Sequence, residues 1–102
     1  MSASDRIIVV SAKANADIRS IIRYAGRLCG LDVTKMHVQD LLDRLKILTI
    51  QPELGSPRPE YGRGRRGFVL DSYLVLYSVT RTEIRVARII HTKLDVDRVL
   101  RG

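Results

Sequence analysis

The chain has few of the groups that staple a small fold or build a metal centre. A single cysteine, Cys29, occurs in 102 residues. No disulfide can close within the chain, a pattern of reducing compartments rather than of secreted scaffolds. The two histidines, His37 and His91, have no further His or Cys at ligand spacing, so neither a zinc site nor any other metal or cofactor is expected. Long apolar runs are missing as well. Stretches such as residues 7–10 and 68–70 fall far short of the ~20 residues that cross a bilayer, and the N-terminus shows no signal-peptide core. Together these absences predict a cytoplasmic protein. Negative charge is also scarce, with 11 Asp and Glu against 18 Lys and Arg, a net of +7. Such an excess favours an anionic partner, nucleic acid or an acidic protein segment, because net charge governs association more than fold.

What is present reads as one domain over residues 1–102. Residues 7–10 form a short β-branched run, predicted to be a buried strand. Ser11 then stands as an N-cap. After it, Ile18, Ile21, Ile22, Ala25, Leu28 and Cys29 recur at helical spacing, with Asp17, Arg19, Ser20, Arg23 and Arg27 on the opposite face. Cys29 falls on the apolar stripe and is expected in the core. Gly30 ends this helix, and Asp32 or Thr34 is placed to cap the next. In the second helix Val38, Leu41, Leu42, Leu45 and Leu48 make the stripe, and Pro52 stops it near Gln51. A link this short makes an antiparallel helical hairpin, whose apolar side needs a sheet to cover it.

Residues 52–67 differ in composition, with three prolines, four glycines and four arginines. This segment is expected to be a loop, long enough to suggest function. Strands are predicted at 68–70, 73–79 and 84–91, joined by short turns into a meander. In the last of these the alternation slips: Ile84 and Val86 share one parity, Ala87 and Ile89 the other. A bulge, or cover on both faces, is implied. Residues 95–100 could add a final helical turn. The fold class is therefore α+β, β-α-α-β-β-β, with the hairpin packed on an antiparallel sheet.

The candidate chemistry lies in the second half, where residues 58–102 hold 10 basic and 5 acidic residues. The glycine-rich stretch Gly62-Arg63-Gly64-Arg65-Arg66-Gly67 lacks the lysine and hydroxyl of a phosphate loop and does not open a helix. What remains is Arg58, Arg63, Arg65, Arg66, Arg85, Arg88, His91 and Lys93, interleaved with Tyr61, Tyr73 and Tyr77. Metal-free cleavage of RNA needs a base, an acid and cations on the phosphate, and this set contains candidates for each. The same arginine forks and tyrosine rings would equally serve a nucleic-acid groove or an acidic peptide. Tyr73 and Tyr77 could also simply be core.

Several segments in order carry a family resemblance: the short strand, Ala16-Asp17-Ile18 and Ile22-Arg23-Tyr24-Ala25 in the hairpin, Pro52-Glu53-Leu54-Gly55, Arg66, Tyr73-Leu74-Val75-Leu76-Tyr77, and Arg88-Ile89-Ile90-His91 with Asp95. The chain resembles the RelE/ParE toxin superfamily, and most closely its ParE branch. The resemblance implies a toxin of a bacterial type II toxin-antitoxin module that inhibits DNA gyrase, is not itself an enzyme, and is neutralised by a cognate antitoxin with a disordered, amphipathic C-terminal segment. The RelE branch implies instead a ribosome-dependent mRNA endonuclease, for which Arg65, Arg66, Arg88, His91 and Lys93 are the catalytic candidates. Such nucleases usually carry a Tyr or His close to the C-terminus. Here no tyrosine follows Tyr77 and no histidine follows His91. For contact with target or antitoxin, the candidates are Arg58, Tyr61, Arg63, Arg65, Arg66, Arg88 and His91.

Overall fold

A computed structural model describes residues 6–92. Strand β1 (Ile7–Val10) leads into helices α1 (Ala12–Cys29) and α2 (Leu31–Arg44), and α2 tightens into a 3-10 turn at Leu45–Thr49. Strands β2 (Ser56–Pro57), β3 (Arg66–Leu70), β4 (Tyr73–Val79) and β5 (Glu83–His91) follow, with a short 3-10 turn at Pro59–Tyr61. They make one sheet in the order β1-β5-β4-β3-β2. This is the expected α+β architecture with two refinements. The sheet is mixed, because β1 runs parallel to β5, with Ile8 beside Ile84 and Val10 beside Val86. The chain between them is long enough for the crossover that a parallel pair requires. The arginine-rich segment also contributes β2, whose Ser56 and Pro57 pair with Gly67 and Arg66. Proline is tolerated there because β2 is an edge.

Ser11 caps α1 as its sequence position suggests. Its hydroxyl accepts from the Ala14 N–H at 3.0 Å and donates to the Ala87 carbonyl at 2.9 Å, tying the helix start to β5. Gly30 alone links the helices, at φ +95°. Neither Asp32 nor Thr34 caps α2. Thr34 is instead buried, its hydroxyl donating to the Gly30 carbonyl at 2.9 Å. The helical hairpin covers one face of the sheet, and Ala14, Leu41, Leu45, Leu48, Leu70, Val75, Tyr77, Ile84, Val86 and Ile89 form the core between them. The 3-10 turn ends α2 earlier than the stripe predicts. With three residues per turn, positions i and i+3 fall in line, which aims both Leu45 and Leu48 into that core.

Three other expectations are corrected. Strand β1 is an edge, so Ile7 and Val9 are exposed rather than buried. Cys29 is exposed, because the hairpin reaches past the sheet before it turns. Asp17 points not to solvent but onto β5. The slipped alternation in β5 is a bulge: Arg88 pairs with Leu76 but Val86 with Tyr77, which leaves Ala87 extra. A final helical turn at residues 95–100 lies outside the described residues.

Candidate functional site

The arginine-rich segment is an ordered loop. Its ends are joined by the Arg58 N–H on the Arg65 carbonyl at 2.8 Å, and the Tyr61, Gly62 and Arg65 N–H groups each bond back within it at 3.1 Å. Gly62 and Gly64 supply the positive φ values, +139° and +73°, that this path needs. Tyr61 folds onto Leu74, Leu76 and Ile90, the small apolar cluster on the sheet face away from the helices. Arg58 lies over Gly67, where a Cβ would meet its Cγ at 3.0 Å. Its guanidinium reaches Glu60 at 3.6 Å, while its Nε is buried without a partner. Arg65 reaches the Tyr61 carbonyl at 3.5 Å, and Arg63 stands exposed near the tip. Arg66, one residue on, is drawn to the other side of the strand and donates to the Gly55 carbonyl at 2.6 Å.

That contact belongs to a buried latch. The Tyr77 hydroxyl donates to the Pro52 carbonyl and accepts from the Gly55 N–H, both at 2.8 Å. Burial pushes the Tyr77 hydroxyl above its ordinary pKa, partly offset by the Gly55 hydrogen bond and the Arg66 charge. The segment Pro52-Glu53-Leu54-Gly55 thus holds the core tyrosine, and Gly55 is glycine because a Cβ would sit 2.7 Å from the Tyr77 ring.

At the opposite edge the sheet presents a different arrangement. Strand β1 ends opposite Val86, leaving the next N–H groups of β5 without a strand partner. Asp17 on α1 takes their place. Its carboxylate accepts the Ile89 N–H at 3.0 Å and both Nε and Nη2 of Arg88, at 2.8 and 3.0 Å. The hydrogen bonds to Asp17 raise the Arg88 pKa further, against the opposing effect of burial. Both side chains are largely buried. His91 ends the same strand, its ring edge-on to Tyr73 at 5.2 Å. The Tyr73 hydroxyl is itself pushed up by burial, then by Asp71 and Cys29.

The described arginine candidates fall in two places. Arg58, Tyr61, Arg63 and Arg65 share one loop beside β3, Arg66 is held by the latch beneath it, and Arg88 is chelated near the β1 edge, with β4 between the two groups. Lys93 lies outside the described residues. No group of His, Cys, Asp or Glu that could hold a metal occurs among the described residues, and no helix among them is long and apolar enough to cross a membrane.

One surface has a different character. Around Gly30 the hairpin exposes Tyr24, Leu28, Leu31, Val33 and Met36, with Leu28 at 71% and Met36 at 72% of full exposure. Single exposed apolar residues are ordinary, but five within the closed end of one hairpin form a patch of the kind that marks an interaction site. Sequence reasoning placed Leu28 in the core and passed over the others. The signal was there in Val33 and Met36, apolar residues off the α2 stripe.

Comparison with known proteins bears on the whole chain. The family model described as ParE toxin of type II toxin-antitoxin system, parDE, matches residues 8–96. Among solved structures, the chromosomal ParDE TA system from P. aeruginosa is similar, with a TM-score of 0.73 and 26% identity over 88% of this chain and 98% of that one. No curated protein matches.

Proposed function

Since the chain belongs to the ParE toxin family of type II toxin-antitoxin modules, we propose that it arrests growth by inhibiting DNA gyrase, without catalysis of its own, and that a cognate antitoxin neutralises it by direct binding. The observation that carries the non-enzymatic part is the chelation of Arg88. An arginine whose donors are bonded to a carboxylate at 2.8 and 3.0 Å has little charge left to offer a scissile phosphate. The hydroxyl of Tyr77 is likewise occupied, in the core latch.

The antitoxin reading is supported by the pairing of an apolar hairpin end with a basic surface. A disordered acidic segment with an amphipathic helix would bury Tyr24, Leu28 and Met36 against its apolar side and order as it bound. It would also stabilise this small fold by mass action.

Purified toxin added to gyrase and relaxed plasmid should block supercoiling or accumulate cleaved DNA, and added antitoxin should reverse the effect. Gyrase unaffected at saturating toxin overturns the proposal. Site-specific mRNA cleavage on translating ribosomes, lost in Arg88→Ala or His91→Ala, would establish the RelE-type activity in its place.

A further inference from the structure

The exposed side of α1 carries Arg19, Arg23 and Arg27 at successive i, i+4 positions, all three open to solvent. The helix rises about 1.5 Å per residue, so the guanidinium groups leave it at steps of about 6 Å along one line. Positions three and four residues to either side of each hold no carboxylate, and among the described residues none of the three makes an ion pair. The helix's one acid, Asp17, is turned beneath it and consumed by Arg88.

Its neighbour α2 is built in the opposite way. There Arg44 meets Asp40 and Asp71, Asp43 meets Lys46, and Gln39 donates to Asp43. Two like-charge i, i+4 pairs on α1 each cost a few tenths of a kcal/mol, by the measure that applies to unlike pairs with the sign reversed. Among the described residues no carboxylate offsets that repulsion, and of the three only Arg27, in the last turn, gains from the helix C-terminus.

We propose that this ladder is a contact surface for the phosphate backbone of duplex DNA. On the same face Ala12 and Ala16 precede Arg19, and Ser20 lies between Arg19 and Arg23, short side chains that let a phosphate strand approach the helix closely. Each strand of a duplex carries a charge about every 3.4 Å of axis, so three cations over about 12 Å each meet a phosphate without competing. An acidic amphipathic peptide fits the Arg19–Arg23 stretch less well, because the large exposed apolar residues of α1, Tyr24 and Leu28, lie only toward its hairpin end, Tyr24 beside Arg27. A stretch that sets charge among short side chains matches a partner bound chiefly through charge. With few groups to read base edges, the contact is independent of sequence. The inference does not rest on the gyrase reading, and a failure of either leaves the other standing, because gyrase is absent from its test.

The experiment is a fluorescence anisotropy titration of a labelled 20-base-pair duplex with the full chain between 50 and 200 mM salt. Three phosphate contacts contribute about −2.7 to the slope of log K against log salt, at −0.9 per contact. The triple variant R19Q/R23Q/R27Q should lose that contribution, which amounts to about 40-fold in affinity at the low end of the range relative to the high end. Glutamine is a good helix former on an exposed face, so the variant keeps its fold, as circular dichroism will show. R63Q, at the exposed loop tip, should change the slope by no more than about one contact. An unchanged slope in the triple variant overturns the proposal. So does absence of duplex binding by the wild type at 50 mM salt, or a poly-glutamate peptide bound as tightly as the duplex.

Discussion

Replacing Tyr77 by phenylalanine tests the latch that joins the sheet to the segment before β2. The ring is fully buried and would stay in place, so the apolar packing is retained. What is lost is a hydroxyl that donates to the Pro52 carbonyl and accepts from the Gly55 N–H, each at 2.8 Å. Both backbone groups would remain buried without a partner, at about 1–3 kcal/mol each, so the expected loss is about 2–6 kcal/mol. For a chain of this length total stability is about 5–15 kcal/mol, which makes the change plain in a urea titration, as a fall in midpoint of more than about 1 M at unchanged slope. The same hydroxyl sets a pH dependence. Its pKa is raised above 10.0 in the folded state. Below that pH both states hold the proton and the latch is at full strength; above it the unfolded chain releases the proton before the native one, so stability falls as pH rises. Tyr77→Phe should remove that part of the alkaline loss and leave the part due to Tyr73, whose pKa is also raised. A midpoint shift worth less than about 0.5 kcal/mol would refute the assignment of the hydroxyl to buried backbone partners.

Gly55→Ala should cost about 1–3 kcal/mol by the same titration, because the new Cβ would lie 2.7 Å from the Tyr77 ring and 2.9 Å from the Gly67 carbonyl. Asp17→Ala should destabilise by about 2–4 kcal/mol, since it strands a largely buried guanidinium and the Ile89 N–H, and it should not produce RNA cleavage on ribosomes. Leu28→Glu and Met36→Glu alter exposed positions, so thermal stability should move by no more than about 0.5 kcal/mol while calorimetric affinity for the antitoxin falls at least about tenfold.

The elements were legible in the sequence wherever a local rule decides them. Ser11 before α1, Gly30 after it and the meander of β3 to β5 follow from capping, glycine conformation and β-branched runs. Even the bulge could be read, as a slip of parity at Ala87. What stayed hidden depends on where the sheet ends. Asp17 looks solvent-facing on a helical wheel, yet it turns inward because β1 stops at Val10 and leaves a β5 N–H to satisfy. Cys29 and Leu28 sit on the apolar stripe, but the stripe is longer than the sheet that covers it. Pro52 and Gly55 read as loop punctuation, and only the depth of Tyr77 shows that they hold a hydroxyl in the core.

The distribution of charge changes meaning in the same way. Counted along the chain, the basic excess belongs to the second half, and the arginines there were the natural candidates for anion binding. Counted by what remains unengaged among the described residues, the balance moves. Arg88 is paired with Asp17, Arg85 with Glu83 and Arg58 faces Glu60, while Arg66 keeps its charge but is held by the Gly55 carbonyl, and Arg63 and Arg81 stay open as single cations. Arg19, Arg23 and Arg27, in the half that looks nearly neutral, keep their full charge on one open line. Because a partner responds to accessible cations rather than to the composition of a segment, helix α1 offers an anionic partner the longest open line among the described residues, beside single cations at Arg63 and Arg81. Charge reversal along α1 should therefore weaken anion binding more than reversal at Arg66 or Arg88, whose substitution is felt first in the stability of the fold.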